Sequence, residues 1–212
     1  MKNIAIFGAG GFGREIACLI KQINKVQPTW NLIGFFDDNP ALQGTKNEYG
    51  KVLGSIDVLN QYDKELAVAI AVGSPSVVKK VVGNIKNENV WYPNLVAPDV
   101  MIMDEENFSM GKGNIICSKC WISCNVCFGN FNILNVGITV GHDAQLGNYN
   151  ILMPAVNISG EVTIGEENLF GVASVVLQQK KIGNNTVIGG NSLIIKNTKD
   201  GRTYMGNPAM AL

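Results

Sequence analysis

Between Leu146 and Gly171 the chain reads LGNYNI-LMPAVN-ISGEVT-IGEENL-FG, and a large apolar residue returns at every sixth position. The same period continues in both directions without an insertion and gives fifteen large apolar residues. In a chain with 46% hydrophobic residues, such a series arises by chance with a probability of about 10⁻⁴ or less. We call these residues the anchors: Met110, Ile116, Ile122, Phe128, Leu134, Val140, Leu146, Leu152, Ile158, Ile164, Phe170, Val176, Ile182, Ile188 and Ile194.

The residues between the anchors also repeat. Glycine directly follows eight of the fifteen anchors, and the fourth residue after an anchor is mostly small or compact. A six-residue period predicts a solenoid, in which each unit is a short strand plus a turn and three units close a triangular coil of eighteen residues. We expect the anchors to point inward and Gly or Asn to form the corners. Five coils at about 4.8 Å spacing predict a parallel β-helix roughly 24 Å tall.

The first part of the chain follows a different pattern. Short apolar runs at residues 3–7, 32–36 and 66–72 alternate with amphipathic helical segments. This alternation is typical of an α/β unit with a parallel sheet. The sequence therefore predicts two domains, an α/β unit over residues 1–97 and a β-helix over residues 98–212.

Composition and charge exclude several functions. The 212 residues carry 17 Lys and Arg against 17 Asp and Glu, which argues against nucleic acid or an acidic membrane as the main partner. No apolar run approaches the ~20 residues that span a bilayer, and no signal-like core precedes the first glycines, so we expect a cytoplasmic protein. Between Gly113 and Gly160 the only charged residues apart from His142 are Lys119 and Asp143. Uncharged faces of this size predict an oligomer.

Four of the five cysteines form the pattern C-x2-C-x3-C-x2-C between Cys117 and Cys127. Zinc ribbons separate their two cysteine pairs by many more residues, and no histidine lies nearby. We therefore expect no metal here, and we interpret the cysteines as reduced, small, half-buried side chains.

A glycine-rich loop follows the first strand. Gly8, Gly10 and Gly13 match the dinucleotide-binding fingerprint, in which glycines allow close approach of a phosphate to the N-terminus of a helix. The pattern does not specify the phosphate. An NAD enzyme requires a second βαβ half that these 97 residues do not provide, which favours another nucleotide.

Two carboxylates, Asp37 and Asp38, follow the second predicted strand, about twenty residues after the loop. A turn before the Asn-Pro pair at 39–40 accounts for one of them but not for both. Carboxylates at this place can accept hydrogen bonds from a ribose or a uracil.

Over essentially its whole length the chain resembles the sugar acetyltransferases of the NeuD and PglD type. The resemblance rests on the order and spacing of GAGGFGRE at 8–15, GFFDD at 34–38, AVG at 71–73, the anchors, VGHD at 140–143 and GNPA at 206–209. It implies a homotrimer in which each subunit joins a Rossmann-like nucleotide-sugar domain to a left-handed β-helix. It also implies that acetyl-CoA, the co-substrate, binds along the helix between neighbouring subunits.

The resemblance makes His142, the only histidine, the general base and Asp143 its acidic partner. Acetyl transfer from a thioester chiefly requires that the acceptor loses its proton as it attacks, and an imidazole suits that task. The residues that correspond to acetyl-CoA contacts are Gly160, Val172 and Gly190. Those that correspond to nucleotide-sugar contacts are Gly10, Gly11, Phe12, Asp37, Asp38 and Gly73.

Other functions of β-helical proteins fit less well. A γ-type carbonic anhydrase needs three histidine ligands for zinc, and the chain has one histidine. A non-catalytic, nucleotide-sensing trimeric scaffold remains the alternative to an acetyltransferase. The motifs leave open O- or N-acylation, the acyl chain length, the acceptor sugar and the surface polysaccharide or glycoprotein glycan that the product enters.

Overall fold

The computed structural model describes residues 1–212, which divide into two compact units, Met1–Pro98 and Asp99–Leu212. The strands of the first unit are β1 (Lys2–Phe7), β2 (Trp30–Phe36), β3 (Lys46–Asn47), β4 (Gly50–Gly54), β5 (Leu66–Ile70), β6 (Val90–Trp91) and β7 (Leu95–Val96). Its helices are α1 (Gly11–Val26), α2 (Ile56–Asn60) and α3 (Pro75–Asn84).

The first unit contains a six-stranded sheet in the order β3-β4-β2-β1-β5-β6. The strand pairs β1–β2, β1–β5, β2–β4 and β5–β6 are parallel, and only the edge strand β3 is antiparallel to its neighbour. Every residue of β5 is buried, as expected for a strand of a parallel sheet covered on both faces. The strand order reverses beside β1, which places a topological switch point at the carboxyl ends of β1 and β5.

The second unit is built from two-residue strands. They are β8 (Met101–Ile102), β9 (Ser109–Met110), β10 (Ile115–Ile116), β11 (Trp121–Ile122), β12 (Cys127–Phe128), β13 (Ile133–Leu134), β14 (Thr139–Val140), β15 (Gln145–Leu146), β16 (Ile151–Leu152), β17 (Asn157–Ile158), β18 (Thr163–Ile164), β19 (Leu169–Phe170), β20 (Val175–Val176), β21 (Lys181–Ile182), β22 (Val187–Ile188) and β23 (Leu193–Ile194). From β9 onward each pairs in parallel with the strand eighteen residues away, as Val140 does with Ile158, whereas β8 pairs with β11, twenty residues later. Three parallel sheets result, and the predicted triangular coil is confirmed.

Each anchor from Met110 onward is the second residue of its strand. Fourteen of the fifteen anchors are buried, and Met110, in the first coil of the series, is partly exposed. Anchors eighteen residues apart stack along the interior because their strands pair in register, as for Phe128 and Leu146. The prediction that the anchors form the core is therefore confirmed.

The corners differ from the prediction. At every corner from Gly113 to Asn191 the third residue after the anchor has a positive φ, and twelve of these fourteen residues are not glycine. They include Phe131 (φ 56°) and Glu161 (φ 57°). The glycine that directly follows an anchor has another purpose: a β-carbon at Gly141 would lie 2.5 Å from the backbone nitrogen of Gly160 in the next coil. Glycine here permits close packing of coils rather than a left-handed turn.

A ladder of buried asparagines runs inside one corner. Asn114, Asn132, Asn150 and Asn168 are all fully buried and are spaced by eighteen residues. The side-chain amide of Asn150 donates to Oδ1 of Asn132 at 3.1 Å and to the carbonyl of Gly165 at 2.9 Å, while its Oδ1 accepts from Asn168. Each buried amide is thereby satisfied, as burial of a polar group requires.

An antiparallel hairpin ends the second unit. Strand β24 (Thr203–Gly206) pairs in parallel with β22 and antiparallel with β25 (Ala209–Ala211). None of the helices in the chain is both long and apolar enough to cross a lipid bilayer.

Candidate active site

His142 lies at a corner of the β-helix, two residues after the anchor Val140. Cys124, Gly160 and Gln178 occupy the same position one coil before, one coil after and two coils after His142. We call these three residues and His142 the His142 edge. Backbone hydrogen bonds stack the coils here: Asp143 N donates to Cys124 O at 3.0 Å, and Glu161 N donates to His142 O at 2.7 Å. The peptide bond between His142 and Asp143 is therefore held at its N–H by the preceding coil and at its carbonyl by the following coil.

The imidazole of His142 and the carboxylate of Asp143 are hydrogen-bonded. Nδ1 of His142 lies 2.7 Å from Oδ2 of Asp143. The side chains are 54% and 46% exposed, so solvent and a substrate can reach both. Sequence neighbours can pair in this way because Asp143 has a left-handed backbone, with φ 59°.

A second group holds the other oxygen of the carboxylate. The side-chain amide of Asn125, one coil earlier, donates to Oδ1 of Asp143 at 2.7 Å. The hydrogen bonds from His142 and then from Asn125 lower the pKa of Asp143 below its ordinary value of 3.8. Asp143 is therefore ionised at neutral pH.

The ionisation of Asp143 determines the tautomer of a neutral His142. An ionised carboxylate can only accept hydrogen bonds, so Nδ1 of His142 carries the proton that they share. Nε2 is then unprotonated, and it has no hydrogen-bond partner within the chain. In a neutral His142, Nε2 is thus a proton acceptor.

The next residue of the His142 edge, Gly160, lies against the imidazole ring. A β-carbon at residue 160 would lie 2.5 Å from Nε2 of His142 and 2.7 Å from Cε1. Any side chain at this position would move the ring. The structure therefore brings Gly160 together with His142 and Asp143.

Val172 and Gly190 lie at a different edge. Asn191 N donates to Val172 O at 2.8 Å, and Ala173 N donates to Pro154 O at 2.9 Å, so residues 136, 154, 172 and 190 stack as a second corner. We call them the Val172 edge. Val136 and Val172 are 40% and 48% exposed, and no residue of this edge is charged.

The glycines of the N-terminal loop divide into two kinds. Gly8 has φ +107°, and a β-carbon on Gly13 would meet the carbonyl oxygen of Gly8, so both are needed to form the turn. Gly10, Gly11 and Gly73 have no atom within 4 Å of an added β-carbon and no positive φ. Nothing within the chain requires glycine at these three positions, which lie at the carboxyl ends of β1 and β5.

Asp37 and Asp38 both hold backbone amides. Asp37 accepts from Ala9 N and from Asn39 N, each at 2.8 Å, and Asp38 Oδ1 accepts from Ile56 N at 2.9 Å, at the start of α2. The turn at residues 39–40 thus involves Asp37 alone, and Asp38 has a separate structural contact at the start of α2. Asp38 Oδ2 accepts no hydrogen bond within the chain.

Phe12 lies in the first turn of α1 and is half-buried. Gly10 occupies the N-cap position of α1. No side chain caps the free backbone amides of this helix, and the first turn of the helix carries no acidic residue. The structure thus groups Gly10, Gly11 and Phe12 at one helix N-terminus. Asp37 is joined to this loop through its hydrogen bond with Ala9.

The cysteines do not converge on a metal. No three His, Cys, Asp or Glu side chains are placed to hold a metal ion, and none of the five cysteines forms a disulfide bond. Their exposure varies more than expected, from exposed Cys124 and Cys127 to buried Cys120. Burial raises the pKa of the Cys120 thiol to about 11, so it stays a protonated core side chain.

Comparison with known proteins gives concordant matches. Residues 3–85 match the family model of the PglD N-terminal domain. The acetyltransferase domain of PglB from Neisseria gonorrhoeae FA1090, solved in complex with acetyl coenzyme A, is 28% identical with a TM-score of 0.89, covering 100% of this chain and 99% of that chain. The first part of the chain is thus similar to the PglD N-terminal domain, and the whole chain is similar in structure to this acetyltransferase domain.

Other solved structures agree on the fold of this chain. WeeI from Acinetobacter baumannii AYE is 26% identical with a TM-score of 0.88, and 100% of each chain is covered. PerB from Caulobacter crescentus, solved with CoA and GDP-perosamine, is 22% identical with a TM-score of 0.83, covering 100% of this chain and 98% of that one, and supports the fold alone. A comparison with curated protein sequences finds no match. The predicted architecture, an α/β unit followed by a left-handed β-helix, is confirmed.

Reasoning from the sequence missed Asn125. A signal was present, because Asn125 precedes Asp143 by eighteen residues, one coil of the repeat. Residues separated by one coil are neighbours along an edge, so a polar residue eighteen positions from a candidate catalytic residue is a candidate partner.

Proposed function

We propose that this protein transfers the acetyl group of acetyl-CoA to a hydroxyl or amine of a nucleotide-linked sugar, with His142 as the general base. The observation that carries the proposal is the hydrogen-bonded pair of His142 and Asp143, whose side chains are both exposed at an edge of the β-helix. A 28% identical acetyltransferase domain with the same fold was solved in complex with acetyl coenzyme A. The side chain of His142 is 54% exposed, and in the neutral form of this histidine Nε2 is the unprotonated nitrogen. That is the group a direct acetyl transfer requires.

The reaction follows from these atoms. The acceptor oxygen or nitrogen attacks the thioester carbonyl carbon and forms the new O–C or N–C bond, while Nε2 of His142 takes the acceptor's proton. The C–S bond then breaks, and the sulfur of CoA leaves and receives that proton. The products are the acetylated sugar and the CoA thiol. The negative charge of Asp143 stabilises the imidazolium that exists between the two proton transfers.

We propose Gly160, Val172 and Gly190 as contacts of acetyl-CoA. Gly160 has no side chain and lies against the imidazole of His142, and the uncharged Val172 edge suits the uncharged pantetheine arm of the co-substrate. The two edges are different corners of one β-helix. We further propose that acetyl-CoA lies between the His142 edge of one subunit and the Val172 edge of its neighbour in a homotrimer.

We propose that the N-terminal unit binds the nucleotide part of the acceptor. Gly10, Gly11 and Gly73 keep open space at the carboxyl ends of β1 and β5, where open α/β sheets bind ligands. The uncapped amides of α1, beside Phe12, favour a phosphate. Asp38 has a free carboxylate oxygen, and Asp37 fixes the loop. A nucleotide sugar and acetyl-CoA are both cytoplasmic metabolites, so we propose the cytoplasm as the site of the reaction.

The test is product mass spectrometry after incubation of acetyl-CoA with a panel of UDP- and CMP-sugars that carry free hydroxyls or amines. Wild-type protein is compared with the His142→Ala variant. A product heavier by one acetyl group, formed only by wild type, supports the proposal and identifies the acceptor. A protein that binds acetyl-CoA but acetylates none of these sugars acts on another acceptor, and one that does not bind acetyl-CoA is better explained as the scaffold.

A further inference from the structure

The hydrogen bonds around His142 continue past Asp143 to a third side chain. Asn125 Nδ2 lies 2.7 Å from Oδ1 of Asp143, and Oδ2 of the same carboxylate lies 2.7 Å from Nδ1 of His142. The carboxylate is therefore held at both oxygens, by one group from its own coil and one from the coil before. A side chain bound at a single oxygen can rotate about that contact, whereas two opposed contacts fix its orientation.

The backbone supports the same arrangement. Asn125 and Asp143 occupy the same position in successive coils, and both have left-handed backbones, with φ 59°. Asp143 N also donates to Cys124 O at 3.0 Å, so the peptide of residue 143 is fixed to the coil that carries Asn125. Asparagine tolerates this conformation better than most residues, and its short amide reaches one coil onward.

We propose that Asn125 is a positioning residue, whose amide holds Asp143 in the orientation that keeps the proton of His142 on Nδ1 and leaves Nε2 free. The inference rests on the proposed role of His142 as the base. Asn125 itself acts only through Asp143. Its removal leaves Asp143 with one partner, so the carboxylate samples other rotamers and the proton of His142 moves partly to Nε2.

Other groups near the ring are few. The remaining titratable groups on adjoining coils at this corner are Cys124, one coil earlier, and Glu161, one coil later. The carboxylate of Glu161 accepts from the side-chain amide of Gln179 at 3.2 and 3.3 Å, so it already has a partner. Asn125 is the only side chain besides His142 that binds Asp143.

The chain offers a matched control. Asn185 occupies the same position in its hexapeptide as Asn125, is also exposed and has φ 52°, and its backbone N–H donates to Glu166 O at 2.9 Å. It lies at another corner and does not contact His142 or Asp143. Asn125→Ala and Asn185→Ala therefore carry the same cost of placing alanine in a left-handed conformation, but only the first removes a hydrogen bond to Asp143.

The experiment is nitrogen NMR of protein labelled at histidine, at pH 8.5, where an imidazole is neutral. Because His142 is the only histidine, its two nitrogen resonances report the tautomer without further assignment. We expect wild type and Asn185→Ala to show the Nδ1-protonated form, and Asn125→Ala to show a mixture with the Nε2-protonated form. We also expect a kcat about tenfold lower in Asn125→Ala, with KM within about twofold of wild type.

A second variant at residue 125 keeps the proposal testable if Asn125→Ala does not fold. Asn125→Gly adopts a left-handed backbone without strain and cannot donate to Asp143, so the same change of tautomer is expected. If both Asn125 variants keep the wild-type tautomer, the proposal is overturned even when His142→Ala abolishes activity. If the tautomer changes but wild type acetylates no sugar, the positioning role stands and the proposed reaction fails.

Discussion

Gly160 lies against the imidazole of His142, so closely that a β-carbon at residue 160 would approach Nε2 to 2.5 Å. The absence of a side chain at this position therefore sets where the ring can lie. We predict that Gly160→Ala displaces the ring and lowers kcat by about ten- to a hundredfold, because small misplacements of a catalytic group are costly. Steady-state kinetics with the NMR signal of His142 as a structural reporter tests this.

The control for that variant is Gly83→Ala. Gly83 lies in α3 with nothing within 4 Å of an added β-carbon, so alanine is accommodated there and kcat stays at the wild-type value. An unshifted His142 signal together with wild-type kcat in Gly160→Ala would show that the ring does not depend on this contact.

The carboxylate of Asp143 provides a prediction about pH. Hydrogen bonds from His142 and Asn125 lower its pKa below 3.8, so the stabilisation from this pairing is present above pH 3.8 and is lost as the pH falls through the lowered pKa. We expect the carboxyl carbon resonance of Asp143 to titrate with a midpoint below 3.8. In His142→Ala and in Asn125→Ala the midpoint should rise, since each variant removes one donor.

Asn185→Ala is the control for the titration and should leave the midpoint unchanged. A wild-type midpoint at or above 3.8 would mean that the two donors do not hold the carboxylate in solution.

The buried asparagine ladder predicts a large stability effect. Asn150→Ala leaves the backbone and side-chain N–H groups of Asn168 and the carbonyl of Gly165 without these partners in the interior. Oδ1 of Asn132 loses one of its donors and keeps the backbone N–H of residue 150. Buried unsatisfied groups cost about 1–3 kcal/mol each, so we expect the free energy of unfolding to fall by at least about 2 kcal/mol. Urea denaturation followed by circular dichroism measures this.

The exposed residue Asn184 is the comparison for the ladder. Its Oδ1 accepts from Glu166 N at 2.8 Å, but water can replace it there. Asn184→Ala should cost no more than about 1 kcal/mol. Equal losses for the two variants would show that burial of the ladder adds nothing to stability.

Assembly is open to a direct test because the proposed acetyl-CoA contacts lie on two separate edges. Light scattering coupled to size exclusion at micromolar concentration is expected to give a mass of about three 22.8 kDa chains. Val172→Glu adds a charge to the uncharged edge, so it should weaken acetyl-CoA binding or assembly. A stable wild-type monomer with full activity would contradict the shared site.

The anchor period determined the β-helix, since residues such as Val140 and Ile158 stack only if the coil contains eighteen residues. The corners were less predictable. Glycine after an anchor is needed for close packing of coils, while residues as large as Phe131 accept the left-handed turn because the stacked strands fix the backbone on both sides. That compensation comes from tertiary hydrogen bonds, which a local pattern does not contain.

The candidate site was also only partly predictable. His142 and Asp143 were identifiable because they are neighbours in a stretch almost without charge. Asn125 becomes relevant only once the coil length places it beside Asp143. Asp37 and Asp38 accept hydrogen bonds from the backbone amides of Ala9 and Ile56. These residues are distant in sequence and come together only in the folded domain.

The central claim is that Nε2 of His142 removes the acceptor's proton. The most direct measurement is kcat/KM for His142→Ala beside wild type, with the Kd for acetyl-CoA and the melting temperature recorded for both. We predict a fall of at least about a hundredfold in kcat/KM, with the Kd and melting temperature unchanged. A His142→Ala protein that keeps kcat/KM within threefold of wild type would contradict the account.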